Sequence, residues 1–220
     1  MRFQRDVSPF AAAHDASLES ASALAGLLEH GGPFAQMQGE PVAPPPGVVA
    51  TLAGDGVQMV AARLEGEAPK ADVIALGEAD ATEMRALAEL TKPGPFLART
   101  HTMGRFLGVR VNGRLAAMAG ERMQPEGFTE VSAVCTHPDH VGQGYGAALT
   151  LAVAERILTE GATPFLHAWE TNTRAIALYR RLGFVFRRTV SVVLWERPGA
   201  GGPDGSTAPS PPGGRDRGGT

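Results

Sequence analysis

Three glycines at alternate positions, Gly142, Gly144 and Gly146, fall where an apolar strand-like run ending at Thr136 gives way to a helical one. Bare backbone at the start of a helix leaves N–H groups that share a direction and have no intrahelical acceptor, and the helix dipole adds partial positive charge there. Side chains at those positions would hold an anion away from the amides. The segment Gly142, Gln143, Gly144, Tyr145, Gly146 and Ala147 therefore suits the diphosphate of a nucleotide cofactor. A plain glycine-rich turn capping a helix would carry the same residues. A dinucleotide site is a further reading, because Gly142, Gly144 and Ala147 fit the G-x-G-x-x-A spacing and Glu170 ends the next strand. Against it, Pro138, Asp139 and His140 separate the glycines from their strand, and the elements before the loop are hairpins rather than βα units.

Other reactive side chains point less clearly. Cys135 is the single cysteine, so no internal disulfide is expected. A thiol is a good nucleophile, but in an apolar strand it reads as a small core residue. His137, His140 and His167 show no metal-ligand spacing, so no metal is expected. His101 shares an irregular stretch with Arg99 and Thr100 and reads either as a surface loop position or as a residue lining the side of a site where a second substrate enters.

The elements that must position these residues follow from periodicity. Leu18, Ala21, Leu24, Ala25, Leu27 and Leu28 repeat at helical spacing, and Gly31 with Gly32 stops the run. Val48–Ala53 and Val57–Leu64, on either side of Gly54, Asp55 and Gly56, are expected to form a hairpin. Val73–Leu76 is a short strand, and Asp80 with Glu83 predicts a capping box opening a helix that Pro93 ends. Asn112-Gly113 predicts a tight hairpin between Phe106–Val111 and Arg114–Met123. Phe128–Thr136 is a strand, Gly144–Glu160 a helix, Phe165–Trp169 a strand and Thr173–Leu182 a helix. Phe184–Glu196 is one strand or two. Hairpins combined with one βαβ crossover predict an α/β (α+β) fold, a mixed, mostly antiparallel sheet flanked by helices.

Composition sets the bounds. The chain has 220 residues, 43% of them hydrophobic, and a net charge of -3, so nothing in its charge calls for nucleic acid or an anionic membrane. No apolar run is long enough to span a bilayer and no signal-like segment opens the chain, which predicts a cytoplasmic protein. The expected organisation is a helix-and-hairpin extension over residues 1–70, a main domain over 71–197, and a disordered Gly/Pro tail over 198–220.

Two motifs in order, Val134 through Pro138 and Gly142, Gly144, Tyr145 and Gly146, then Asn172 through Tyr179 to Gly183 and Phe184, resemble those of the GCN5-related N-acetyltransferases (GNAT), and residues 90–195 look like their FR47-like branch. The resemblance implies the GNAT fold and acetyl-CoA as co-substrate. It places the backbone of Val134, Cys135 and Thr136 along the pantetheine arm, Gly142–Ala147 around the pyrophosphate, and Asn172 close to the cofactor. Tyr179 matches the tyrosine near the sulfur, the general acid for the departing thiolate, and Glu130 falls where some members carry a glutamate base. Glu121 is the alternative base. Backbone N–H groups near Val134 would steady the oxyanion. The implied reaction is direct attack of a primary amine on the thioester in a ternary complex. The acceptor is a small amine or a peptide or protein amine, and a homodimer is suggested. One position departs from the pattern: Val141 stands where the family usually has Arg or Gln, which removes a polar contact but leaves the amides. That departure motivates the other reading, a non-catalytic acyl-CoA-binding regulatory module.

Overall fold

The computed structural model describes residues 1–198 apart from 16, 42 and 68. The tail expected from residue 198 onward lies, but for Pro198, outside the described residues. In chain order the elements are α1 (Leu18–Gly31), β1 (Phe34–Gln38), β2 (Val49–Val60), β3 (Val73–Leu76), α2 (Ala81–Thr91), β4 (Phe106–Val111), β5 (Arg114–Glu121), β6 (Phe128–Thr136), α3 (Tyr145–Thr159), β7 (Thr163–Trp169), α4 (Thr173–Arg181) and β8 (Val185–Glu196). Eight strands form one sheet in the order β1-β8-β2-β7-β6-β5-β4-β3. Neighbours pair antiparallel except β6 and β7, which are parallel and joined through α3. This is the mixed, mostly antiparallel sheet with flanking helices that the sequence predicts.

Two expectations for the N-terminal 70 residues need correction. Phe34–Gln38 is a strand that the sequence reading passed over; it pairs with β8 from Phe34↔Trp195 to Gln38↔Ser191. The Gly54-Asp55-Gly56 segment does not turn. It runs through the middle of β2, which lies between β7 and β8 in the interior of the sheet. Its glycines serve close approach: a Cβ on Gly56 would lie 3.2 Å from the Ala168 carbonyl oxygen and from a Val190 methyl, and one on Gly54 would lie 3.2 Å from the Trp169 ring.

The helices divide between the two faces, and strand alternation shows how. On β5, Met118 packs under α2 with Met84, Leu87 and Phe106, whereas Ala117 and Ala119 pack under α3 with Leu149, Val153 and Ile157. Truncating a large member of either cluster, such as Leu149→Ala, costs about 2–5 kcal/mol. The hairpin at Asn112 and Gly113 forms as predicted, with φ of 51° and 79°. The capping box does not. Asp80 accepts the Gly77 N–H (2.9 Å) and shares Arg110 with Glu83, each carboxylate lying 2.6 Å from its Nη2. Beneath α1, Trp195 donates to Gln36 Oε1 at 2.8 Å inside a third cluster with Leu24, Leu28 and Phe34.

Candidate active site

The parallel pairing of β6 and β7 is short. It joins Phe128↔Thr163, Thr129↔Pro164 and Glu130↔Phe165. Beyond that point β6 follows β5 as far as Ala117↔Thr136, and β7 follows β2 as far as Gly56↔Trp169. Each strand stays paired on its outer edge while the inner edges part, and a fork opens. The local cause is Ala133, a non-glycine residue at φ 53° opposite the register shift between Met118 and Gly120. A bulge of this kind bends and twists the strand that carries it.

The bulge breaks the alternation of an unbroken strand, which would put Glu130, Ser132, Val134 and Thr136 on one face. Instead, Val131 and Val134 both pack into the α3 cluster, while Ala133 and Cys135 pack into the α2 cluster. The alternation breaks at Ala133.

The mouth of the fork meets the glycine turn. Gly142 and Gly144 have φ of 90° and 83°, in the left-handed region that favours glycine, and the first bond of α3 runs from the Ala148 N–H to the Gly144 carbonyl (3.1 Å). The N–H groups of Tyr145, Gly146 and Ala147 therefore precede the helical ladder. Space beside Gly142 is open, and a Cβ on Gly146 would lie 3.8 Å from Thr136 Oγ1. The Pro69 ring covers Gly144 closely; a Cβ there would fall 2.4 Å from Pro69 Cγ. Gln143 is exposed and reaches His140 Nδ1 at 3.4 Å, and Val141 is 47% exposed. Open amides, glycine-only backbone and a strand edge leading into them fit a pyrophosphate followed by an extended arm.

On the α3 side of the sheet, Tyr179 lies buried against Phe184, ring centroids 6.1 Å apart. Burial, with a smaller contribution from Cys135, pushes its phenol up to about 12. At neutral pH it holds its proton and can give it to a stronger base. Burial also pushes the Cys135 thiol up to about 11, which makes it a core thiol rather than a thiolate nucleophile. Asn172 caps α4, its Oδ1 accepting the Ala175 N–H at 3.2 Å.

On the opposite face Glu130 is almost wholly buried, 1% exposed. Arg122 donates to both its oxygens, Nη2 to Oε1 at 2.6 Å and Nε to Oε2 at 2.8 Å, and His167 Nδ1 lies 2.8 Å from Oε1. Burial alone would raise its carboxyl. The Arg122 charge and hydrogen bonds, with the hydrogen bond from His167, outweigh that and hold it at about 2. A carboxylate so engaged is a poor proton acceptor, so Glu130 is ill suited to taking the amine proton itself. Glu121 is saturated as well: Arg105 and Arg156 both donate to Oε1, at 3.1 and 3.0 Å. His101 pairs with Glu78 at 2.8 Å.

The row of polar groups around Glu130 was missed. His167 continues to Gln58, Nε2 to Nε2 at 3.0 Å, and Gln58 Oε1 accepts from Arg187. The signal lay in Phe165, His167 and Trp169 alternating with the core residues Leu166 and Ala168. The partner Gln58 is set by the β2–β7 register, which no local pattern reveals.

Comparison with known proteins gives this arrangement a family. A crystal structure of a GNAT-family protein from Novosphingobium aromaticivorans DSM 12444 superposes with a TM-score of 0.80 and 39% identity, over 88% of this chain and 86% of that one. The chain belongs to the GNAT family. A family model described as FR47-like protein matches residues 106–193, the part of this GNAT chain that carries the fork, the glycine turn and Tyr179. Mycothiol acetyltransferase of Frankia casuarinae is 40% identical over 80 residues, and the match spans 36% of this chain and 23% of that protein's length. The GCN5-related N-acetyltransferase from Kribbella flavida, 24% identical over 83% of this chain and 74% of that one with a TM-score of 0.54, shares the GNAT fold.

Among the described residues no helix is long and apolar enough to cross a membrane, and no group of three or more His, Cys, Asp or Glu side chains is gathered as a metal site.

Proposed function

We propose that this GNAT protein transfers an acetyl group from acetyl-CoA to a primary amine by direct attack in a ternary complex, and that it is of the FR47-like type. The observation that carries the reading is the fork: β6 and β7 part beyond Glu130↔Phe165 and open onto the glycine turn at the start of α3. Bound acetyl-CoA supplies the activated thioester carbonyl. The free edge of Val134, Cys135 and Thr136 holds the pantetheine arm by backbone hydrogen bonds. Amides from Gly142 to Ala147 hold the pyrophosphate, with Gln143 and Tyr145 flanking it, and Asn172 borders the arm from the start of α4. Tyr179 donates its proton to the departing sulfur, a role suited to a phenol that stays protonated at neutral pH. The row around Glu130 prepares the amine on the opposite face.

Calorimetric titration with acetyl-CoA tests the reading, followed by free-thiol release with benzylamine, aniline, spermidine and a short peptide bearing a free N-terminus. Saturable binding together with amine-dependent release supports it. Absence of binding at millimolar acetyl-CoA overturns it. A second reading, a non-catalytic acyl-CoA-binding module, is favoured by two features of the turn: exposed Val141 offers no polar contact, and Pro69 lies on Gly144. Binding without thiol release from any amine of the panel selects it.

A further inference from the structure

Four side chains on four strands or strand ends fix one proton. Glu130 is ionised and can only accept, so the ring nitrogen 2.8 Å away, His167 Nδ1, must carry hydrogen. At the other end, Arg187 can only donate and takes the carbonyl oxygen of Gln58. The Gln58 amide nitrogen is thereby turned toward His167, 3.0 Å from Nε2. An amide NH2 only donates, so Nε2 presents its lone pair. Arg122 on one side and Arg187 on the other lock the row from both ends.

The location is as specific as the tautomer. His167 comes two residues after Phe165, the last residue of β7 paired to β6, so it stands where the fork begins. It projects on the face opposite Leu166 and Ala168, which belong to the α3 cluster. Its side chain is 11% exposed, and the edge-on Phe165 ring, centroid 5.6 Å away, limits its rotation. The charged groups that face it are Glu130 from β6, with Arg122 behind it from the end of β5, and Arg187 from β8 through Gln58.

We propose that His167 Nε2 is the proton acceptor for an acceptor amine that reaches the fork as an alkylammonium ion, with Glu130 as the positioning residue that fixes the tautomer. The inference rests on the transferase reading above. The Gln58 N–H occupies the direction from which an ammonium N–H would approach, and the incoming group takes its place. One proton passes from nitrogen to Nε2, and the freed lone pair forms the N–C bond as the C–S bond breaks. Sulfur takes the Tyr179 proton, and the second proton lost from nitrogen restores the phenol. His167 releases its proton to solvent, so the sum is ammonium plus thioester giving amide, thiol and one proton.

The test compares two probe amines with acetyl-CoA: benzylamine, which is protonated at neutral pH, and aniline, which is not. In His167→Gln at pH 7, kcat/KM for benzylamine should fall roughly 10²–10³-fold, with aniline changed by no more than about threefold, because only the former needs a base. The benzylamine deficit should shrink as pH rises and the free amine forms. Affinity for acetyl-CoA should not change. Equal losses on both amines would mean a structural role and would overturn the proposal while leaving the transferase reading intact. So would a ring-nitrogen NMR spectrum of the parent showing hydrogen on Nε2 rather than Nδ1, a result independent of any variant's folding. A parent that binds acetyl-CoA yet releases thiol with neither amine removes the reaction and this role together.

Discussion

Glu130 and Arg122 meet through two hydrogen bonds, at 2.6 and 2.8 Å, with side chains only 1% and 10% exposed. Removing one partner leaves the other charged in a place water barely reaches. Glu130→Ala should therefore lose about 3–5 kcal/mol of stability, and Glu130→Leu combined with Arg122→Met should recover much of it. Urea unfolding of the three proteins checks both statements.

The same pair sets an acid limit. The folded-state value of Glu130, about 2, lies below the ordinary carboxylate range, so its contribution is present above the unfolded value near 4.3 and is lost as pH falls toward 2. About 3 kcal/mol should disappear across that window, on the scale of 1.36 kcal/mol per pKa unit. Stability curves between pH 5 and pH 2 should be visibly shallower in Glu130→Gln than in the parent.

Tyr179→Phe should lower kcat by roughly 10²-fold and leave acetyl-CoA affinity within about twofold, as expected when a general acid is lost without a packing change. Thermal stability should hardly move, because the ring and its contact with Phe184 persist. Unchanged turnover would remove the phenol from the reaction.

Gly144→Ala combines backbone strain at φ 83° with a Cβ 2.4 Å from Pro69, whereas Gly142→Ala meets the strain at φ 90° but open space. The first should lose about 1–3 kcal/mol of stability and the second about 1 kcal/mol. Both should weaken acetyl-CoA binding by calorimetry, since each puts a methyl group among the amides proposed to bind phosphate.

Much of the fold was legible where the signal is local. Asn112 and Gly113 specify their turn by backbone preference alone, and Phe128–Thr136 and Val73–Leu76 appear with their predicted limits. The glycine turn was equally readable, because the residue type and the required φ coincide at Gly142 and Gly144. What escaped depends on partners distant in sequence. Gly54 and Gly56 look like a turn until Trp169 and Ala168 are known to press on them. Ala133 gives no hint of a left-handed backbone, since alanine disfavours it. His167 gains its meaning from Glu130 and Gln58, which reach it from two other strands, and from Arg187, which holds Gln58 from a third.

The place of β2 has a consequence for how the molecule is made. Val49 pairs with Glu196 and Val60 with Val185, so this early strand waits for the last strand to emerge before one of its edges is satisfied. Such distant pairing raises contact order and slows closure of the sheet. On a translating ribosome, Gln58 can meet both His167 and Arg187 only after nearly all of the described chain has been synthesised. The completed polar row is thus a late product of biogenesis, and a nascent chain halted before β8 carries the glycine turn but lacks the Arg187 end of the row.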